Sequence, residues 1–261
     1  MRGIKMLKRM VLLVIVICLT LGVSLAQAAP DPLFNWAKTP TTLTFYGQST
    51  FVLAHGETRL IIDPWLTGNP WKVAKAEDID VQYILVSHAH GDHIGDTAGI
   101  AKRTGAKVIS TSEITRMLAG QGVTNVHPMS IGGKWNFEFG WVKVTNAIHG
   151  SGVAGGQAAG FIINFYGKVI YFAGDTALFG DMAYIGKANL DFALLPIGDN
   201  YTMGPEDATE AVGLLRPKKV IPIHYNTNPL TKQNPQDFKK MVESRYSIPV
   251  LIMNPGASIT L

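Results

Sequence analysis

Four side chains that could bind a metal ion fall within six consecutive residues, His88-Ala89-His90-Gly91-Asp92-His93. They directly follow an apolar run at residues 83–87, which predicts a buried strand. Neutral imidazole and carboxylate groups together are suited to zinc, manganese or iron. Because so dense a cluster of ligands is hard to explain by packing alone, the sequence predicts a metal site at the end of a strand.

Three more candidate ligands lie farther along the chain, and each ends a strand-like apolar run: His149, Asp175 and His224. One metal ion needs three or four ligands, so seven candidates indicate two ions that share a carboxylate. A pair of adjacent ions suits hydrolysis, because it generates hydroxide near neutral pH and stabilises the oxygens of the reacting group. Residues this far apart can meet only if the chain builds a rigid sheet core whose strand ends come together.

The first 28 residues have the layout of a secretory signal peptide. Four basic residues (Arg2, Lys5, Lys8 and Arg9) precede an apolar run at residues 11–21, and Ala26-Gln27-Ala28 is a small-residue cleavage pattern. Because the apolar run is shorter than the roughly 20 residues that span a bilayer, we expect cleavage after Ala28. The protein is then exported to the periplasm or the extracellular space, with an uncleaved N-terminal membrane anchor as the alternative.

Residues 29–261 are expected to form one large α/β domain. Removal of the signal peptide takes away four basic residues and leaves 19 basic against 19 acidic side chains, compared with 23 and 19 in the whole chain. Such a chain has no basic excess for binding nucleic acid. We therefore expect a small-molecule substrate, with a homo-oligomer left open. The single cysteine, Cys18, also leaves with the signal peptide, so neither a disulfide nor a thiolate ligand is expected.

The remaining pattern predicts strands that alternate with helices. Strands are predicted at residues 43–53, 59–62, 83–87, 107–110, 135–147, 161–165, 169–173, 190–195, 219–223 and 250–253, and helices at 94–103, from 112, from 204 and at 235–246. The turn at His55-Gly56-Glu57 makes the first two strands a hairpin, with the His55 side chain expected in solvent. This order of elements predicts β-sheets packed together with helices on the outside.

Several segments of the chain resemble one enzyme superfamily. The series HxHxDH, His149, Asp175 and His224 resembles the ligand series of the metallo-β-lactamase superfamily. Five segments narrow the resemblance to uncharacterised metal-dependent hydrolases related to L-ascorbate-6-phosphate lactonase. They are Ile62-Asp63-Pro64-Trp65-Leu66-Thr67-Gly68-Asn69-Pro70, Gly174-Asp175-Thr176, Leu195-Pro196-Ile197-Gly198, Thr202-Met203-Gly204-Pro205-Glu206-Asp207-Ala208 and Pro222-Ile223-His224-Tyr225-Asn226-Thr227. The resemblance covers about residues 42–258 and implies a four-layer αββα sandwich.

The resemblance also implies a role for each candidate ligand. His88, His90 and His149 would hold one divalent metal ion, Asp92, His93 and His224 would hold a second, and Asp175 would bridge the two. Asp63 would support the site by orienting ligands, although an aspartate before Pro64 could instead serve only to form a turn. Because an exported protein acquires its metals outside the cytoplasm, we expect zinc rather than manganese.

The expected activity is metal-dependent hydrolysis. A hydroxide that bridges the two metal ions would attack a lactone, an ester or a phosphodiester, and Asp92 or Asp175 would accept its proton. A β-lactamase and a non-catalytic metal-binding or sensing protein remain as alternatives.

Five residues near the later ligands are candidates for substrate contacts: Asn200, Tyr201, Met203, Tyr225 and Asn226. Two positions depart from the family pattern. Relatives usually have Gly-His-Ser where this chain has Gly47-Gln48-Ser49, and Gly-Gly-Asn where it has Gly198-Asp199-Asn200. Gln48 would replace the family histidine by an amide, and Asp199 would add negative charge near the pocket.

Overall fold

The computed structural model describes residues 39–261, so the predicted signal peptide lies outside the described residues. In chain order the strands of that range are β1 (Thr41–Gly47), β2 (Thr50–His55), β3 (Thr58–Ile62), β4 (Tyr83–Leu85), β5 (Lys107–Thr111), β6 (Val126–Met129), β7 (Lys134–Phe137), β8 (Gly140–Asn146), β9 (Ala159–Phe165), β10 (Lys168–Phe172), β11 (Phe192–Pro196), β12 (Lys219–Ile223) and β13 (Ser258–Thr260). Branched and aromatic side chains predominate in these segments, as expected for strands that are half or fully buried.

The strands form two sheets within residues 39–261. The first has the order β13-β1-β2-β3-β4-β5-β6, and the second has the order β12-β11-β10-β9-β8-β7. In the first sheet β1 to β3 pair antiparallel and β3 to β6 pair parallel, so β1, β3 and β4 end at the same edge. In the second sheet β7 to β10 form an antiparallel meander and β10 to β12 pair parallel, so β8, β10 and β12 also share one direction.

Helices cover the outer face of each sheet. They are α1 (Gly91–Ile94), α2 (Thr97–Thr104), α3 (Ser112–Gly120), α4 (Met182–Gly186), α5 (Pro205–Leu215) and α6 (Pro235–Tyr246), with single 3₁₀ turns at Ala76–Asp78 and Pro229–Thr231. The last helix begins as its sequence predicts, because the Asn234 side chain accepts a hydrogen bond from the Gln236 N–H and Pro235 occupies the first turn. None of the helices in residues 39–261 has the length and apolar character needed to cross a membrane.

Three apolar clusters define the layers. Side chains such as Leu43 and Phe45 of β1 point inward and meet Phe161 and Phe172 from the second sheet, which forms the central core. A second cluster joins the first sheet to α2 and α3, and a third joins the second sheet to α4, α5 and α6. The predicted αββα sandwich is therefore confirmed.

Two predicted strands are each divided in the structure. The run at residues 43–53 contains β1 and β2, separated by a turn at Gln48 and Ser49, and the run at 135–147 contains β7 and β8, separated by a turn at Glu138 and Phe139. A glycine with positive φ lies beside each turn, 98° at Gly47 and 135° at Gly140, while apolar residues on both sides resemble a single strand. The prediction of single strands was therefore wrong at these turns.

The predicted helix at residues 94–103 and the predicted last strand also need correction. The helix is interrupted at Gly95, which has a φ of 21° and lies against the Pro64 carbonyl oxygen, so α1 and α2 are separate. Residues 250–253 form only an isolated bridge between Val250 and Val220, and the last paired strand is β13.

The expectation that His55 is solvated was wrong. Its side chain is buried at the end of β2, where Nδ1 lies 2.9 Å from the Thr41 hydroxyl. The imidazole also stacks on the Tyr166 ring, with 4.0 Å between ring centroids. Burial lowers the pKa of His55, so the neutral imidazole is favoured there.

Phe161 of β9 is fully buried between the two sheets. Since its truncation leaves a cavity that neighbouring side chains fill only in part, we expect Phe161→Ala to lower the free energy of unfolding by about 3–5 kcal/mol. Tyr184→Ala is the matched control, because that aromatic side chain is exposed and its loss is expected to change stability by less than about 0.5 kcal/mol. Urea denaturation measures both values, and equal losses would contradict the two-sheet core.

Candidate metal centre

The strands bring the distant candidate ligands to one edge of the fold. His88 follows β4, His149 follows β8, Asp175 follows β10 and His224 directly follows β12. Because these strands run in a common direction within their sheets, their carboxyl ends project the four side chains into one region. All seven predicted ligands lie together there, within reach of one another's nitrogen and oxygen atoms.

The local fold of the HxHxDH segment separates its ligands into two pairs. His88 and His90 lie in the loop after β4, where His90 has an extended backbone with φ −67° and ψ 148°. Asp92 and His93 lie on the single turn of α1 that follows. Because the chain passes from a loop into a helical turn, His88 and His90 contribute to one group of ligands, and Asp92 and His93 contribute to another.

The first group consists of three imidazoles. Nδ1 of His90 lies 3.0 Å from Nε2 of His88 and 3.2 Å from Nε2 of His149. Two nitrogen ligands of a tetrahedral zinc ion, each about 2.1 Å from the metal, lie about 3.4 Å apart. The three nitrogens therefore already have close to the spacing that a shared divalent ion requires, and the residues fit a metal.

The second group contains one carboxylate and two imidazoles. Oδ2 of Asp92 lies 3.5 Å from Nε2 of His224 and 3.7 Å from Nε2 of His93. The imidazoles of His93 and His224 are nearly parallel, with 5.5 Å between ring centroids. Nitrogen and oxygen ligands in this combination suit the same borderline divalent ions as the first group.

Asp175 lies between the two groups and contacts imidazoles of both. Its Oδ2 is 3.0 Å from Nε2 of His224 and 3.6 Å from Nε2 of His149, and its Oδ1 is 3.2 Å from Nε2 of His93. Only 4% of the Asp175 side chain is exposed. A buried carboxylate needs positive partners where water is excluded. The surrounding imidazoles, or metal ions bound by them, are such partners.

Asp63, which follows β3, is fully buried and contacts two predicted ligands, one of them through Ser87. Nδ1 of His93 donates to its Oδ2 over 2.7 Å, and the Ser87 hydroxyl donates to the same oxygen over 2.5 Å. Because the hydroxyl proton is used there, the Ser87 oxygen is assigned as the acceptor for Nδ1 of His88 at 3.0 Å. Both imidazoles are thereby oriented with Nε2 toward the other ligands.

Burial and charge act in opposite directions on the histidines. Burial lowers the pKa of His88 to about 2, with a further contribution from the nearby His93, and burial also lowers the pKa of His149. Burial would lower the pKa of His93 and His224 too, but the carboxylates beside them together outweigh it, Asp175 with Asp63 at His93 and Asp175 with Asp92 at His224. The pKa of His93 is raised well above its usual value, and that of His224 is raised to about 9.

The two carboxylates of the centre are ionised at neutral pH. Burial alone would raise the pKa of Asp175, but the imidazoles of His93 and His224 hold it well below the usual range. Burial likewise opposes ionisation of Asp92, and its neighbours His224 and His93 lower the pKa of that carboxyl. In the metal-free protein, two carboxylates thus face two protonated imidazoles.

A cavity of about 220 Å³ opens onto the ligands. Its walls are formed by His90, Asp92, His149, Asp175, Tyr201, His224 and Asn228. Of the five candidates for substrate contacts, Tyr201 lies on this wall, with 49% of the side chain exposed. A larger cavity of about 330 Å³ lies beside β8 and α4, and no predicted ligand lines it.

The other candidates for substrate contacts lie elsewhere. The expectation for Met203 is corrected, because its side chain is fully buried in the core between the second sheet and its helices. Tyr225 packs partly against that core, and Asn226 uses its side-chain oxygen to accept from the Gln233 N–H. Neither these two nor Asn200 belongs to the cavity wall. Asp199 is exposed, and its Oδ1 accepts from the Asn200 N–H instead of facing the cavity.

Some residues of the site were missed or left without a role. Asn228 lies on the cavity wall, and its only sequence signal is an Asn-Pro pair typical of a turn. Ser87 links Asp63 to His88, although the sequence showed only a strand-end serine. The sequence singled out Gln48 as a departure from the family pattern. The prediction of one strand over residues 43–53 hid its position at the end of β1.

The raised pKa values of His93 and His224 lead to a testable linkage. Both imidazoles are protonated at pH 7 in the metal-free protein, and a metal ion binds only deprotonated imidazole. We therefore expect zinc binding to release about two protons per chain, and zinc affinity to increase as the pH rises from about 7 to about 9. Calorimetry in buffers of different ionisation enthalpy measures both. Zinc binding without proton release, at an affinity independent of pH, would contradict these charge states.

Comparison with known proteins agrees with this geometry. Residues 58–225 match the model of the beta-lactamase superfamily domain. A metal-dependent hydrolase of the UPF0173 family from Symbiobacterium thermophilum is 50% identical over 223 residues, which is 84% of this chain and 99% of that protein. A second UPF0173 metal-dependent hydrolase, from Pelotomaculum thermopropionicum, is 49% identical over 228 residues, again 84% of this chain and 99% of that protein.

Solved structures show the same fold. Igni18, a metallo hydrolase from Ignicoccus hospitalis, is 38% identical, has a TM-score of 0.78, and matches 85% of this chain and 99% of its own. An isothiocyanate hydrolase from Delia radicum gut bacteria is 20% identical with a TM-score of 0.69, over 84% of this chain and 99% of its own, and it supports the fold alone. The buried histidine and aspartate groups, the sandwich and these relatives together lead to one conclusion: the chain belongs to the metallo-β-lactamase superfamily and is a metal-dependent hydrolase.

Proposed function

We propose that this protein is an exported hydrolase that binds two divalent metal ions and cleaves an uncharged ester or lactone. The observation that carries the proposal is the arrangement of seven ligands in two groups with Asp175 between them. A single ion would use only three or four of these seven side chains. Zinc is proposed ahead of manganese, because both groups are rich in imidazole.

Metal ions bound here would supply a nucleophile from water near neutral pH and would polarise the scissile carbonyl. The chain's own residues then handle the proton and the substrate. Asp92 is ionised, lies on the cavity wall and has 34% of its side chain exposed, so we propose that it accepts the proton, with the more buried Asp175 in the bridging position. Tyr201 contributes a hydroxyl to the wall, and Asn228 contributes an amide whose oxygen already accepts from the Leu230 N–H.

The cavity wall favours a substrate without negative charge. Among its described residues there is no lysine or arginine, the side chains on which binding of phosphate or carboxylate groups usually depends. Three large side chains with about half or more of their surface exposed lie on the wall or within two residues of it in the chain: Ile148, Tyr201 and Leu230. We therefore propose an ester or lactone with an apolar portion in place of a phosphodiester.

Export is part of the proposal. Support comes from the basic head, apolar run and Ala26-Gln27-Ala28 pattern of the first 28 residues. The match to the Symbiobacterium relative spans 99% of that protein but 84% of this chain, so part of this chain has no counterpart there. A small molecule that reaches the periplasm or the extracellular space is the proposed substrate of the single domain at residues 29–261.

A substrate panel tests the proposed reaction. The zinc-loaded protein is assayed with uncharged aryl esters, aliphatic lactones, an aryl phosphodiester and a chromogenic β-lactam. We expect kcat/KM for the best ester or lactone to exceed that for the phosphodiester by more than about 100-fold, because no lysine or arginine on the wall supplements the metal ions in binding phosphate oxygens. Preferential turnover of the phosphodiester or of the β-lactam would overturn the substrate class, and absence of any turnover with both metals bound would indicate a binding protein.

Variants of the ligands form the control. His88→Ala and Asp175→Ala are expected to reduce kcat/KM by more than about 100-fold while circular dichroism shows a folded chain. His127→Ala is the matched variant, because that imidazole packs against Trp135 and Phe137 away from the centre and should retain activity. Full activity of both ligand variants at controlled metal content would contradict the proposed site.

A further inference from the structure

Gln48 lies at the turn between β1 and β2, at the edge where β3 and β4 also end. Only 2% of the residue is exposed, and its backbone has a φ of 54°, a left-handed conformation that is unusual for a side chain of this size. A long polar side chain is rarely buried in this way unless its donors and acceptor are all used. The contacts of Gln48 therefore indicate what the turn is for.

Three polar atoms of Gln48 have partners in the second group of ligands or beside it. Its main-chain oxygen accepts from the His224 N–H over 2.9 Å. Its Nε2 donates to Oδ2 of Asp92 over 2.8 Å, and its Oε1 accepts from the Thr227 hydroxyl over 2.5 Å. Gln48 thus touches two of the three members of the Asp92, His93 and His224 group.

The two side-chain bonds fix the orientation of the amide. The Asp92 side-chain oxygen accepts from Gln48, so the NH₂ end of the amide faces it. The oxygen end then faces Thr227, whose hydroxyl has one proton to donate. A rotation of the amide by half a turn would place its oxygen against the Asp92 oxygen, two acceptors facing each other, so the contact with Asp92 selects this orientation.

This arrangement determines where Asp92 points. The Asp92 oxygen that Gln48 contacts, Oδ2, is the same atom that lies 3.5 Å from Nε2 of His224 and 3.7 Å from Nε2 of His93. One third of the Asp92 side chain is exposed, and without a partner it would be free to turn toward solvent. Asp63 orients His93 in the same group, so the two supporting residues act on different ligands.

We propose that Gln48 is a positioning residue for one of the two divalent cations, the one bound by Asp92, His93 and His224. The inference rests on the proposed two-metal function, which it deepens. Among the described residues, the side-chain hydrogen bonds of Gln48 reach Asp92 and Thr227, and none reaches His88, His90 or His149. Its loss should therefore weaken one metal site and spare the other. An amide suits this task, because it donates and accepts at once and competes poorly with imidazole for zinc.

The test is a titration of the metal-free chain with zinc in the presence of a competing chelator. The wild-type protein is expected to bind two zinc ions in resolvable steps. Gln48→Met keeps the length of the side chain but removes its donor and acceptor. In this variant one step should be unchanged and the other weakened by about 10–100-fold, the usual loss when a residue that orients a ligand is removed.

Two further variants sharpen the result. Gln82→Met is the matched control, because Gln82 is an exposed glutamine in the first-sheet region whose side-chain oxygen accepts from the Arg59 N–H, and both steps should stay unchanged. Thr227→Val keeps the bond between Gln48 and Asp92 but frees the amide oxygen. It should weaken the same step by a smaller factor, and it decides the question if Gln48→Met does not fold.

The outcomes separate the inference from the function on which it rests. Two zinc ions in the wild type with selective weakening in Gln48→Met support both. If the wild type binds two zinc ions and Gln48→Met leaves both binding steps unchanged, or weakens both equally, the role of Gln48 is overturned while the two-metal proposal stands. A wild-type protein that binds one zinc ion overturns the two-metal proposal itself. The readout is zinc affinity, so it does not depend on knowing the substrate.

Discussion

The buried Asp175 carboxylate, placed between imidazoles of both ligand groups, is the interaction on which the rest of the centre depends. His93 lies on α1, which follows β4 of the first sheet, whereas Asp175 and His224 follow strands of the second sheet. The contact therefore crosses from one sheet to the other at the edge of the sandwich. A carboxylate so deeply buried is stable only with opposite charge beside it. The surrounding histidines supply that charge, either as protonated imidazoles or by binding metal ions.

Supporting residues carry much of the geometry of the ligands. Asp63 orients His93 directly and His88 through Ser87, and Gln48 contacts Asp92 and the backbone of His224. Asp63, Gln48 and His224 all have positive φ, with values of 43°, 54° and 54°. Residues other than glycine adopt this conformation at a cost, and such positions collect at functional sites where surrounding contacts stabilise them. The strain here lies at three neighbouring strand ends that together surround the second ligand group.

The sequence alone places the candidate ligands at strand ends, because they are dense and follow apolar runs. HxHxDH after a buried strand and His224 after residues 219–223 could be placed at strand ends without a structure. Gln48 could not, because the apolar residues on both sides of Gly47-Gln48-Ser49-Thr50 resemble one continuous strand and hide the end of β1. Met203 and Asn228 show the same limit for the substrate pocket: whether a loop side chain enters the core or the cavity depends on packing between distant segments, and neither periodicity nor residue type specifies it.

The most direct test of the central claim is a crystal structure of the zinc-loaded protein with data collected at the zinc absorption edge. The account predicts two anomalous peaks about 3.5–4 Å apart. One should lie against His88, His90 and His149, the other against Asp92, His93 and His224, with an Asp175 oxygen near both. A single peak at full zinc loading, or peaks that leave either group without metal, would contradict the two-metal centre.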